Sequence, residues 1–472
     1  MELKIHDQEI LLQKLWKSRR LFTQELLTSS GKRVEVIFAG AENTDSGPDF
    51  KDAVIKLDGK LLKGDVEVHL DSSGWYAHGH HKDPAYNKVI LHLISNQTKN
   101  DPAIEREDGV QVQQIYVDID LYKSSSWKRP KQPQQMSKSS SLVVGNCPLS
   151  RMADVKIWAT IHEAGERRLS EKAAQVSEDL ATMSWNQMMY KKILEALGYS
   201  KNQIPFRKLA QIVPFEILCQ EMHWVPEEVA LKKCAALLFG AAGLLPSQNK
   251  KTPKILDAET LDYIAPLEFL WDQISHRLEI KPMKSHEWQF FRLRPQNFPT
   301  RRIAGMVQLL FKFYRSGFLE GFLKIFYGNS TKHEKLITEL EAVLIIKATG
   351  FWSNHFRFEE AYQNLSQNNR SALIGRDRAR DIIINIIFPA LYLHSSETND
   401  GMINNLIREL FTKYPKLSEN SITKAMIYQL FAKQKKKSSV IKSASQQQGL
   451  IYLHKLYCRS LKCQECLELS FK

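Results

Sequence analysis

The sequence predicts an α+β N-terminal domain followed by a mainly α-helical domain, and three observations carry that expectation. Apolar residues recur with a period of two at intervals between Val34 and Ile119, as in strands whose side chains alternate faces of a sheet. From Val155 onward the recurrence lengthens to three or four residues, the helical period. Between the two regimes lies KSSSWKRPKQPQQMSKSSS, residues 123–141, nearly devoid of apolar side chains and read as a linker or exposed loop.

The elements follow in order. Ile10, Leu11, Leu15 and Trp16, then Phe22, Leu26 and Leu27, keep helical spacing, so the first 30 residues are expected to be helix. Val34, Val36 and Phe38 mark a first strand, and Ala53, Ile55 and Leu57 a second. Asp58-Gly59 is a strong hairpin signal, so the next strand is Leu61 to Leu70. Further strands are expected at Val89–Ile94 and Val110–Ile119. These compose an α+β domain over residues 1–122, followed by the Ser/Lys/Gln/Pro segment 123–146.

The helical domain is placed at 147–445. Val155, Trp158, Ile161 and Leu169 form one stripe; Trp185, Met188, Met189 and Ile193 form another that stops at Gly198. Helices are also expected over 235–245, 304–314, 333–345 and 379–393, with Pro389 kinking or interrupting the last. A basic run at 433–442 precedes the C-terminal helix and Cys cluster of 446–472.

Lys plus Arg is 66 and Asp plus Glu is 52, so the net charge is 66 − 52 = +14, which favours nucleic acid or another polyanion as a partner. No window is expected to reach the run of about 20 apolar residues that a membrane span needs. The first residues do not read as a signal peptide, and six Cys in 472 residues argue against a disulfide scaffold, so the cytoplasm is the expected compartment. Neither a Walker-type loop nor G-x-G-x-x-G occurs, which argues against nucleotide hydrolysis and dinucleotide redox chemistry. HEAGE at 162–166 lacks the second His of a zincin helix.

The chemistry concentrates around one hairpin. In GDVEVHL (64–70), Val66, Val68 and Leu70 share one face of a strand, and Asp65, Glu67 and His69 the other. Asp49 in SGPDF is placed at the mouth of the partner strand, and GWYAHGHHKDPAY adds His78, His80, His81 and Asp83. Two carboxylates on adjacent strands suit a hard cation, Mg²⁺ or Mn²⁺, which leaves part of its shell for a substrate phosphate. Asp49 and Glu67 are the expected ligands, with His69 orienting water or stabilising charge. A zinc site drawn from His78, His80 or His81 with Asp83 is the alternative at this segment.

Two other constellations stand apart. Cys458, Cys463 and Cys466 have a spacing that lets thiolates converge on one metal, with Cys147 or His454 as a fourth ligand. Zn²⁺ or an iron–sulfur cluster is the expected occupant. LRPQNFPTRRIAG gathers Arg292, Arg294, Arg301 and Arg302 at a helix entrance, a place suited to phosphate, with Phe298 offered as a stacking platform for a base. Cys219 and Cys234 lie in apolar helical contexts and read as core.

PDF followed 18 residues later by E-x-H resembles the restriction-endonuclease-like PD-(D/E)XK superfamily, whose motif sets an Asp, a spacer and then (D/E)-x-K on the next strand. Asp49 and Glu67 match, and His69 stands where the superfamily has Lys. WYAHGHH is similar to the Trp and His cluster of the very-short-patch mismatch repair endonucleases. The resemblance implies a mixed sheet of that type and metal-dependent hydrolysis of DNA or RNA phosphodiesters. It also implies precedent for a cluster held by one distant and three C-terminal Cys. A non-enzymatic nucleic-acid or protein-binding scaffold is the rival expectation. Over nearly the whole chain, GPDF, GDVEVHLDSSGWYAHGHHKDPAYNKVILHL, LRPQNFPTRRIAG and QQQGLIYLHKLYC with its Cys cluster resemble an uncharacterised bacterial domain-of-unknown-function family. That resemblance implies a cytoplasmic bacterial protein.

Overall fold

The period-two segments pair into a single sheet, and what joins them decides where the polar residues go. A computed structural model of the chain describes residues 5–17, 21, 26–43, 47–96, 103–120, 147–249, 256–291, 293–328, 333–361, 372–431, 441–459 and 462–469. It divides into two units, 1–147 and 148–472. The segment 123–146 and most of the basic run at 433–442 lie outside the described residues.

Unit 1 begins with helix α1 (Ile5–Lys17). Its strands are β1 (Leu26–Leu27), β2 (Arg33–Phe38), β3 (Ala41–Glu42), β4 (Phe50–Leu57), β5 (Lys60–Val68), β6 (Val89–Ile94), β7 (Ile104–Glu105) and β8 (Gln111–Tyr116). The sheet order is β1-β2-β4-β5-β6-β8-β7, with β3 paired to β4. Strands β2, β4 and β5 run antiparallel, whereas β6 is parallel to β5 and β8 parallel to β6. Asp58 and Gly59 both take positive φ, 47° and 82°, as a two-residue hairpin whose turn matches strand twist requires.

A parallel β5–β6 pair needs a crossover, and residues 69–88 supply it. They form helix α2 (Ser73–Ala77) and two 3-10 turns, His80–Lys82 and Pro84–Tyr86. The predicted His-rich turn is therefore a lid over one face of the sheet. On the opposite face Val66, Val68, Leu91 and Leu93 pack with Leu12, Leu15 and Trp16 of α1, and the Trp16 indole N–H donates to the Ala39 carbonyl at 2.9 Å. The expectation of helix through residue 30 is corrected: Leu26 and Leu27 pair with Val34 and Arg33 as an edge strand. Backbone pairing with a distant strand overrides the local spacing.

Unit 2 is predominantly helical. The predicted segments overlap Trp185–Leu197, Glu227–Ala241, Pro299–Phe313, His333–Leu344 and Ala444–Leu453, most running one or more residues past the helix end, and Gly198 caps the first of these. The long helix Asp154–Leu180 packs along Ala444–Leu453 where Gly165 and Gly449 let the backbones approach. A Cβ at Gly449 would lie 2.1 Å from the Ile161 carbonyl oxygen. Val155 is 80 % exposed, so the stripe on that helix is carried by Ile157, Ile161, Ala164 and Leu169 instead. Before Pro389, which lacks an N–H to donate, the helix Arg376–Ile382 widens into a π-turn at Ile383–Ile387 and resumes at Phe388–Glu397.

Among the described residues a single stretch, Glu227–Gln248, is long and apolar enough to cross a membrane, with mean hydropathy 1.5. It belongs to the helical core, where Cys234, Leu237, Leu238 and Phe239 are fully buried.

Candidate metal centre

Strand alternation and the crossover together build the site. Asp65, Glu67 and His69 share the face opposite Val66 and Val68, and all three are buried, with the crossover lying over Glu67 and His69. Asp65 serves the backbone, since its Oδ1 accepts the Asp52 N–H at 2.9 Å, at a residue with φ 59°. It does not join the cluster that forms beside it.

Asp49 and Glu67 meet as the motif requires. The Asp49 backbone N–H donates to Glu67 Oε2 at 2.9 Å, and Asp49 Oδ2 accepts the Val68 N–H at 3.1 Å. From α1 the Gln13 amide donates to Asp49 Oδ1 at 3.0 Å, so the aspartate is held from both sides. Glu67 Oε1 faces the imidazoles, 3.3 Å from His80 Nε2 and 3.6 Å from His69 Nε2.

One ring nitrogen from each of His69, His78 and His80 comes within 4.8 Å of the others. This is the one such set of three His, Cys, Asp or Glu ligand atoms found among the described residues. His69 Nε2 lies 3.1 Å from His78 Nδ1, and His69 Nδ1 lies 2.8 Å from His92 Nε2. For His69 Nε2 to present a lone pair, its Nδ1 must carry the proton and donate to His92. His80 stacks on Tyr86, with ring centroids 3.8 Å apart, and Trp75 closes the cage. The His80 Nε2 atom is buried without a hydrogen-bond partner, which is costly unless a ligand supplies one. Gly74 is required by this packing, since a Cβ there would sit 2.9 Å from His69 Cγ.

The protonation states follow from burial. Burial pushes the Glu67 carboxyl up to about 8. Asp49 rises to about 7, from burial first and then from the neighbouring Glu67 charge. Burial, then the adjacent His92, His80 and His78, hold His69 down at about 2, and burial holds His92 at about 3. His80 is lowered by burial as well. The close His–Glu67 contacts are therefore neutral ones near neutrality rather than ion pairs. A cation would reverse the carboxyl shifts, because its charge favours the ionised form.

Other expected residues go elsewhere. His81 packs against Tyr76, and Asp83 caps the Pro84–Tyr86 turn by accepting the Ala85 N–H at 2.9 Å; neither belongs to the set. His92 is the participant the sequence reading missed. It is buried in the apolar strand VILHLI beside Glu67 in the parallel register, and its signal was a lone imidazole inside that run.

The arginine segment is corrected in part. Arg301 is 1 % exposed, and its Nη1 donates to the Trp352 and His355 carbonyls at 2.6 and 2.7 Å. Arg302 is buried too, donating to the Leu373 carbonyl, the Asn297 side chain and the Tyr199 hydroxyl. These guanidiniums hold internal carbonyls and do not face a phosphate. Phe298 packs among Phe290, Phe356 and Arg357, with no face open for a base. Arg294 is exposed, and Arg292 lies outside the described residues.

In unit 2, Cys458 ends a π-turn, His454–Cys458, with its Sγ 3.8 Å from Met426 Sδ. Cys463 opens the last helix, Cys463–Glu468, and Cys466 is buried one turn later. That helix packs on the turn Pro148–Arg151, which directly follows Cys147 in the chain. None of the six cysteines forms a disulfide. Cys219 is half-buried and Cys234 fully buried, as apolar contexts predicted, and burial raises both thiols.

No curated protein and no solved structure matches the chain. A family profile described as "Protein of unknown function (DUF2851)" matches residues 9–421. The chain belongs to the DUF2851 family.

Proposed function

We propose that unit 1 is a divalent-metal-dependent phosphodiesterase acting on DNA or RNA, built on a restriction-endonuclease-like sheet. One observation carries the reading: Glu67 Oε1 stands 3.3 and 3.6 Å from ring nitrogens of His80 and His69, inside a set of three imidazoles whose nitrogens lie within 4.8 Å. His80 Nε2 makes no hydrogen bond despite lying near Glu67 Oε1, which leaves a ring nitrogen available to a ligand. Asp49 before β4 and Glu67 on the next strand, β5, keep the order of the superfamily motif. The net charge of +14 suits a polyanionic substrate.

The donor set changes the expected metal. Mg²⁺ takes oxygen ligands, whereas three imidazoles and a carboxylate suit Mn²⁺ or Zn²⁺. Bound there, the cation supplies Lewis acidity toward a phosphoryl oxygen and lowers the pKa of a water. Glu67 and the imidazoles of His69, His78 and His80 hold it, Asp49 buttresses Glu67 through its backbone N–H, and His92 fixes the tautomer of His69.

The test is hydrolysis of single- and double-stranded DNA and RNA with Mn²⁺, Zn²⁺ or Mg²⁺, for the full chain and for Glu67→Ala and His80→Ala. Cutting that requires Mn²⁺ or Zn²⁺ and is lost in both variants supports the reading. A full chain that binds the metal and never cuts, or variants that cut equally well, overturns it. Salt-sensitive nucleic-acid binding without cutting leaves the scaffold reading in its place.

A further inference from the structure

Unit 2 contains a cleft of about 380 Å³ whose walls carry more positive charge than their own partners neutralise. The lining holds four cations, Arg168, Lys172, Lys192 and Arg378, against two acids, Glu195 and Asp381, so 4 − 2 leaves an excess of two. Lys192 pairs with Asp179 at 2.6 Å, and Glu195 is held by Arg207. Of the remaining cations, Arg168 meets Glu171 and Arg378 meets Asp381, so Lys172 carries the charge that no acid among the described residues offsets.

Each of these three is set in place by its surroundings. Arg168 is buried, with Nε donating to Gln448 Oε1 at 2.6 Å and Nη1 to Glu171 at 3.3 Å. One turn along the same helix, Lys172 makes no hydrogen bond or ion pair with any described residue. Burial and then the adjacent Arg168 and Lys455 charges hold its ammonium down at about 7, so the bare site disfavours a charge that an anion would stabilise. The Arg378 guanidinium lies 3.6 Å over the Tyr199 ring, its Nη1 3.5 Å from Asp381, and its Nε is buried without a hydrogen-bond partner. Gln175, Asn385 and Gln448 add amides around these cations.

We propose that this cleft binds a small organic phosphate monoester, with Arg168, Lys172 and Arg378 around the phosphate and the amides facing a hydroxylated body. A phosphate supplies the negative charge that these cations lack, and Arg and Lys are the side chains that recognise it. The volume sits at the small end of organic-ligand pockets, which span roughly 300–1,000 Å³, so it takes a body of sugar or nucleoside size. This inference stands apart from the metal centre and survives that reading's failure.

The probes are ribose 5-phosphate, adenosine 5′-monophosphate, inorganic phosphate, ribose and adenosine, titrated calorimetrically into the full chain. At least one of the two esters binds, ribose and adenosine do not, and inorganic phosphate binds more weakly than the preferred ester. Lys172→Met and Arg378→Met each weaken ester binding about tenfold or more, while Lys172→Arg stays within about threefold, as charge-assisted contacts require. Unchanged melting temperatures of the variants separate lost binding from lost folding, and the two methionine variants act as independent checks. The proposal is overturned if no ester binds below about 10 mM, if a neutral probe binds as tightly as its ester, if inorganic phosphate binds at least as tightly as either ester, or if both methionine variants bind like wild type.

Discussion

Replacing Glu67 by Gln should stabilise the metal-free protein at alkaline pH while abolishing its metal binding. The folded carboxyl titrates near 8 against an ordinary value of 4.5, a gap of 8 − 4.5 = 3.5 on the pH scale. Between those limits the folded chain keeps a proton that the unfolded chain releases, so the Glu67 contribution to stability falls as pH rises. At about 1.4 kcal/mol per pH unit, the loss by pH 8 is at most about 4 kcal/mol, and at pH 5 it is under about 1 kcal/mol. The amide of the Glu67→Gln variant keeps an oxygen to accept the Asp49 N–H and carries no such slope. Calorimetric melts with chelator present should show Glu67→Gln equal to wild type within about 2 °C at pH 5. At pH 8 its unit 1 transition should lie about 6–12 °C higher, taking about 3 °C per kcal/mol. A variant less stable than wild type at pH 8, or a gap that does not grow with pH, refutes the assignment of Glu67 as a buried acid poised for a cation.

Gly74→Ala should push the His69 ring, since the new Cβ lies 2.9 Å from its Cγ; overpacking of this kind costs about 1–3 kcal/mol, and Mn²⁺ or Zn²⁺ affinity should drop while far-ultraviolet circular dichroism stays unchanged. Metal binding at pH 7 should release about one to two protons per cation as Glu67 and Asp49 ionise, read from the buffer dependence of the calorimetric enthalpy; an enthalpy independent of buffer contradicts the protonated carboxyls. Gly449→Ala should destabilise unit 2 by about 3 kcal/mol or more, because the Cβ would meet a backbone oxygen, Ile161 O at 2.1 Å. Urea unfolding measures it, and a loss below about 1 kcal/mol would mean that the two helices can part without penalty.

What could be read in the sequence was whatever depended on neighbours in the chain. The Asp58-Gly59 turn fixes the hairpin, the hairpin fixes alternation on β5, and alternation puts Glu67 and His69 on one face. Asp49 reaches Glu67 because β4 and β5 are consecutive and antiparallel. His92 needed the parallel β5–β6 register, which sets it beside Glu67 across 25 residues of chain; locally it shows only as a lone imidazole in an apolar strand. The burial of the cluster was equally hidden, because it depends on the crossover folding over the sheet. Arg301 and Arg302 misled for the same reason. Their carbonyl partners at Trp352, His355 and Leu373 lie 51 to 71 residues away, so a guanidinium pair at a helix entrance looked solvent-facing.

The buried cluster carries two opposed proton demands, and they define when the metal-free fold is most stable. Asp49 and Glu67, held at about 7 and about 8, make the unfolded state the weaker proton binder above pH 4.5. His69 and His92, held at about 2 and about 3, make it the stronger binder below pH 6.5. Between 4.5 and 6.5 two groups oppose two and the slopes nearly cancel, with the lowered His80 tipping stability upward with pH. Above 6.5 only the carboxyls remain and stability declines until they ionise in the folded state too. The site is thus an uncharged polar core that tolerates burial only while its acids stay protonated. A divalent cation removes that condition by replacing their protons. Metal binding therefore does more than fill a site here: it takes away the alkaline decline that two buried acids impose on this sheet.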